Sequence, residues 1–142
     1  MKISTRVQYA LRLMVDVAKH GHRGEVVPVR DVARRQNLSR LYLSQLTVPL
    51  KNAGLLKSVW GNKGGFLLGR SARDIRLLEV MEAVDGPVCL IDCICDAGYC
   101  DRAADCECIR VWREVNEGIV RTLSSCTLED LVADKVKAGV QS

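Results

Sequence analysis

Six of the chain's seven cysteines lie between Cys89 and Cys108, in the stretch CLIDCICDAGYCDRAADCEC. Their spacing is Cys89-x3-Cys93-x-Cys95-x4-Cys100-x5-Cys106-x-Cys108. Thiolates crowded in this way suit a soft metal centre or reversible oxidation. The paired CxxC knuckles of structural zinc sites are absent, and so are the common ferredoxin spacings. Gaps of four and five residues favour a loop wrapped around an iron–sulfur cluster; zinc, or a metal-free thiol switch with disulfides, stays open as an alternative. Cys93 with Cys95, and Cys106 with Cys108, are too close in sequence for easy bridges, so a disulfide would need longer-range partners. Asp92, Asp96, Asp101, Asp105 and Glu107 keep this loop in water and would lower the reduction potential of an anionic centre.

Other chemistry is sparse. His20 and His22 share one glycine-flanked turn and read as a helix end rather than a catalytic base. No nucleophile with a partner base and no nucleotide-binding glycine motif is evident, so the sequence does not read as an enzyme, and no small-molecule substrate is expected. No apolar run approaches the ~20 residues of a membrane span. Arg6 and Arg12 interrupt the N-terminal apolar stripe, which argues against a signal peptide and for a reducing, cytoplasmic setting. Cys126, on an apolar seam, reads as a buried core thiol.

The elements around the loop follow from apolar spacing and caps. Ser4 or Thr5 opens a helix with Val7, Leu11, Met14 and Ala18 on one face, ending at HGHRGE. A two-turn helix begins at Pro28 and breaks at Asn37. Ser39 then caps a third helix, with Leu43, Leu46, Leu50 and Ala53 as its stripe and Pro49 expected to bend its last turn. LLKSVW and GFLLGR flank GNKG as a short β-hairpin. A further helix is expected to open at Ser71 or Arg73 and to stop at DGP. After the cysteine loop, Trp112, Val115, Ile119 and Leu123 recur at three- and four-residue steps on a long helix. That seam is longer than a small domain can cover, so a second copy of the chain is expected against it. Thr127 caps a short last helix, with Asp130 completing a capping box.

The fold class is therefore mainly α with a small β-hairpin wing: a winged helix-turn-helix domain plus a long dimerisation helix. Residues 1–84 read as the winged domain and 85–108 as the cysteine-rich loop. Residues 106–137 read as the dimerisation and C-terminal helices, and 138–142 as a flexible tail. Charge follows the same division. Residues 1–76 carry fifteen Lys/Arg against four Asp/Glu, and residues 77–142 carry six against thirteen. A basic half of this kind fits a polyanion. Ser39, Arg40, Tyr42, Ser44 and Gln45 lie early on the recognition helix; Arg40 suits guanine and Gln45 adenine. Lys63 at the wing tip suits phosphate or minor groove, and Arg34 and Arg35 are expected near the DNA backbone.

MKISTRVQYALRLMVDVA, LSRLYLSQLTVPLKNAGLLKSVWGNKGGFLLGR and EVMEAVDGPV resemble the Rrf2 family of bacterial winged-helix regulators, which has iron–sulfur and nitric-oxide-sensing members. Tyr42, Leu43 and Gln45, the NAGLLKSV exit and the glycine-rich wing carry the resemblance most specifically. It implies a homodimeric transcription factor on a palindromic double-stranded operator, controlled by a 2Fe–2S or 4Fe–4S cluster. The family triad Cys-x5-Cys-x5-Cys, followed six residues later by Trp, falls on Cys100, Cys106 and Trp112. Its first position falls on Ile94, so Cys93 or Cys95 must serve, and Cys95 needs the smaller contraction. Ile109 stands where a histidine ligand is usual. Cys108 is the nearest substitute, Cys93 the next, and Cys89 the remotest. Gln8 stands where some members place a carboxylate near the cluster. Leu41, Ser44 and Trp60 depart from the family's reading residues, which implies a different target sequence.

Overall fold

The computed structural model describes residues 2–134, the side chain of His22 excepted. The expected tail at 138–142 and the end of the 106–137 segment lie outside the described residues. The first helix, α1 (Thr5–His20), is opened by the Ser4 hydroxyl, which accepts from the Val7 amide at 3.1 Å. Its face of Val7, Ala10, Leu13, Met14 and Val17 is fully buried and forms the axis of the core. Helix α2 (Val29–Gln36) starts after Pro28 and stops where Asn37 turns left-handed, at φ 53°. An Asn side chain tolerates that conformation better than most.

Ser39 caps α3 (Arg40–Asn52), accepting from the Tyr42 amide at 3.1 Å, and Leu43, Leu46 and Leu50 point into the core. The helix runs through Pro49 to Asn52. The wing pairs β1 (Leu56–Val59) with β2 (Gly65–Leu68) antiparallel, in the register Leu56↔Leu68 to Val59↔Gly65. Val27, ahead of α2, exchanges both backbone bonds with Phe66 at 2.9 and 2.8 Å. That bridge ties the wing to the helix pair it flanks.

One expected start is wrong. Helix α4 covers Leu77–Asp85, and Ser71 and Arg73 open only a single turn at Ala72–Asp74. Between them Ile75 and Arg76 are extended, because they pair with the end of the chain. Leu77 N–H donates to the Cys126 carbonyl and Leu128 N–H to that of Ile75, both at 3.0 Å. This bridge seats α7 (Leu128–Val132) against α1, with Ile75 and Leu128 fully buried beside it. Thr127 and Asp130 form the expected capping box on α7. Cys126 sits at the end of the preceding helix and is half-buried, not a core thiol.

The cysteine segment is more regular than a loop. It holds a helical turn, α5 (Asp92–Cys95), and a second turn at Ala103–Asp105. The long helix α6 (Ile109–Ser125) passes Gly118 unbroken and begins after the last loop cysteine. It packs on α4 and α5. Ile109 is its one buried residue among those described.

Candidate nucleic-acid interface and cysteine loop

The expected reading surface begins at the N-terminus of α3. Arg40, Ser44 and Gln45 are exposed, and so is Lys63 at the wing tip. Ser39 is exposed too, but its hydroxyl is engaged as the cap. Ser44 Oγ donates back to the Arg40 carbonyl at 3.0 Å, which leaves it only acceptor capacity toward a partner. Tyr42 is half-buried and meets Tyr9 edge-on, with ring centroids 5.8 Å apart. Its body braces α3 against α1. Arg34 is exposed, 3.7 Å from the Asp31 carboxylate. Arg35 keeps part of its surface in solvent, but its guanidinium is engaged by Asp16 on α1.

Asp16 is the residue that sequence reasoning missed. It is 3% exposed and accepts from Arg35 Nη2 at 2.6 Å, from Arg35 Nε at 3.0 Å and from Gln36 Nε2 at 2.7 Å. Burial alone would raise its pKa; the bonds from Arg35 and Gln36 and the charge of Arg35 outweigh this and hold it below the usual carboxylate value. The Arg35 guanidinium is correspondingly raised by its hydrogen bonds to Asp16. Gln36 in turn accepts from Arg12 Nε at 3.0 Å, and the Arg12 guanidinium lies 5.2 Å from the centre of the Tyr9 ring. Hydrogen bonds thus run Asp16–Gln36–Arg12, and ring contacts of Tyr9 with Arg12 and Tyr42 continue the link, so that all three helices are joined. The available signal was an acid among the core-facing positions of a basic helix, with two matching donors side by side in Arg35–Gln36.

The cysteine segment separates into two sets. Cys89 and Cys95 are joined as a disulfide, with Cα atoms 6.3 Å apart. Cys93, Cys100 and Cys106 are free and half-buried, and Cys108 is free and exposed. Of the two cysteines flanking Ile94, therefore, Cys93 has the available sulfur. The donor chemistry fits an iron–sulfur centre: four thiols and no competing histidine in one short segment. Their arrangement is not preformed for it, since among the described residues no three potential ligands converge on one point. The segment is nevertheless anchored to α6, where Asn116 Oδ1 accepts from the Leu90 amide at 2.7 Å. A cavity of about 510 Å³ lies beneath, lined by Ile3, Val7, Met81, Cys89, Ile119 and Leu123 among others.

On α6, Trp112 and Val115 are exposed, and Ile119 and Leu123 are half-buried. The apolar seam is thus open to solvent along its first half. No helix among the described residues is long and apolar enough to cross a membrane.

Comparison with known proteins places this geometry. Residues 3–134 match the family model Rrf2, described as iron-dependent transcriptional regulator. The transcriptional regulator IscR of Xenorhabdus nematophila is 39% identical over 135 residues, covering 95% of this chain and 81% of its own. Among solved structures, CymR, the global cysteine regulator of B. subtilis, superposes with a TM-score of 0.78 at 32% identity, over 94% of this chain and 98% of that one. T. potens IscR superposes with a TM-score of 0.74 at 32% identity, covering 100% of this chain and 93% of that one. These relatives are regulators of transcription, not enzymes. With a hairpin wing beside a capped recognition helix, and a family match over nearly the whole described chain, the protein belongs to the Rrf2 family of winged-helix transcriptional regulators.

Proposed function

We propose that this regulator acts as a homodimer whose operator affinity is set by the state of its cysteine segment, through an iron–sulfur cluster. Cys93, Cys100 and Cys106 would hold the cluster, with Cys108 as fourth ligand. When bound, such a group supplies a redox-active centre that responds to iron supply, oxidants or nitric oxide. One observation carries the reading: all four free thiols of the segment lie between α4, which ends the reading head, and α6, which bears the apolar seam. A change of shape there alters how far apart two reading heads stand. Two half-sites spaced by whole helical turns tolerate little such change.

Pairing is argued from α6. Trp112, Val115, Ile119 and Leu123 form a stripe that one chain leaves open along its first half, and a second copy covers it symmetrically. A twofold dimer then reads a palindromic duplex. A second reading, a metal-free cysteine switch, is favoured by the Cys89–Cys95 disulfide. The test is iron, sulfide and visible absorption of protein isolated without oxygen. The cluster reading expects iron and sulfide in the parent and Cys126→Ser proteins, and neither in Cys100→Ser or Cys106→Ser. Iron-free parent protein that also resists anaerobic reconstitution would leave the thiol switch.

A further inference from the structure

The outward face of α3 is unusually apolar for a surface that meets DNA. Ser44 and Gln45 lie three and four residues after Leu41, and Val48 lies four and three after them, so the four share one face, and all four are exposed. Leu41 is 71% exposed and Val48 is large, apolar and in water as well. Of the two polar members, Ser44 has turned its proton to its own backbone, so Gln45 is the one side chain of the stripe free to donate to a base edge. The wing repeats the pattern. Val59 and Trp60 are exposed, Trp60 at 92%, and among the described residues no hydrogen bond or ring contact engages the indole. Gly61, at φ 110°, and Gly64, whose amide donates to the Gly61 carbonyl at 3.0 Å, fold the chain tightly after it. The indole thus stands at the tip beside Lys63.

Exposed large apolar groups on a basic head call for a partner that is anionic yet offers apolar contact, and duplex DNA does so in two places. Thymine presents a C5 methyl in the major groove. Flexible pyrimidine–purine steps admit an apolar wedge from the minor groove. We propose that this chain reads its operator chiefly by apolar contact: Leu41 and Val48 on thymine methyls, and Trp60 wedged at a deformable step beside each half-site. This rests on the DNA-binding reading above and specifies the class of sequence bound.

The test uses a duplex that the full-length parent protein selects from a random pool, made once with thymine and once with deoxyuridine, which lacks only the methyl. The parent is expected to bind the deoxyuridine duplex roughly 10-fold more weakly, Leu41→Ala to keep part of that difference, and the double variant Leu41→Ala, Val48→Ala to bind both forms equally. Trp60→Ala is expected to lose roughly 10-fold on the selected duplex with its salt dependence unchanged, because an indole releases no counterion. Lys63→Ala instead lowers the salt slope by about one. Trp60→Phe recovers part of the loss. Because these side chains are exposed, the variants keep the parent's helix content, checked by circular dichroism. Equal parent affinity for both duplexes, or a Trp60→Ala protein that binds as the parent does, overturns the proposal while DNA binding stands. A parent that selects no duplex at all overturns both.

Discussion

Asp16 shows how much a single buried carboxylate can organise. Its two oxygens accept from Arg35 Nε and Nη2 and from Gln36 Nε2 on α2, so removing it leaves these donors without their shared partner. Hydrogen bonds to a charged group contribute about 1.5–3 kcal/mol, and breaking a buried pair costs more than forming it gains. Because Arg35 keeps some solvent, Asp16→Ala is expected to cost about 2–4 kcal/mol, read from the urea midpoint at pH 7. The sign of the pH effect follows from the depressed pKa. The stabilisation is complete above the unfolded-state value of about 4 and fades as pH falls through the lower folded-state value. Urea midpoints from pH 6 to 3 should therefore fall more steeply for the parent than for Asp16→Asn. At this scale the sequence was only partly legible. Ser39, Thr127 and Asp130 could be placed because a cap is decided within four residues. Asp16 could not, because its partners come from another helix and an acid in a helix is by default a solvated one.

Helices α1 to α3 and the wing have their limits where local chemistry sets them, at Ser4, Gly21, Asn37, Ser39, Gly54 and the wing glycines, and these could be read from the chain. The start of α4 could not. It is set by the bridge from Arg76 to Thr127, a pairing between distant segments with no periodic signature. The wing gives the sharpest test of element geometry. A Cβ on Gly64 would collide with the Val59 carbonyl, and one on Gly65 with the Val27 carbonyl. Gly64→Ala is expected to lower stability by about 1–3 kcal/mol and operator affinity by about 10-fold, while helix content is kept. Thermal unfolding and fluorescence anisotropy on a labelled duplex measure the two effects. In the cysteine segment the sequence showed the thiols but not their partition. The helical turn at Asp92–Cys95 returns Cys95 toward Cys89 and leaves Cys93 free, which spacing alone does not reveal.

As a whole, the molecule sets a basic reading head on an acidic remainder, and α6 carries the only long apolar seam the described residues leave open. Ile119→Lys is expected to shift sedimentation from dimer to monomer and to weaken binding to a palindromic duplex by more than about 10-fold, since one head reads one half-site. Coupling between the loop and the heads is the central claim, and a modest ~1–3 kcal/mol, about 5–150-fold in affinity, suffices for regulation. The most direct measurement is the dissociation constant for a selected duplex, taken on oxygen-free parent protein before and after the cysteine segment is stripped of metal and oxidised, beside Cys106→Ser. The parent value should move at least 5-fold while the Cys106→Ser value stays fixed. A parent affinity that ignores the treatment, or a Cys106→Ser protein that responds as the parent does, would contradict the account.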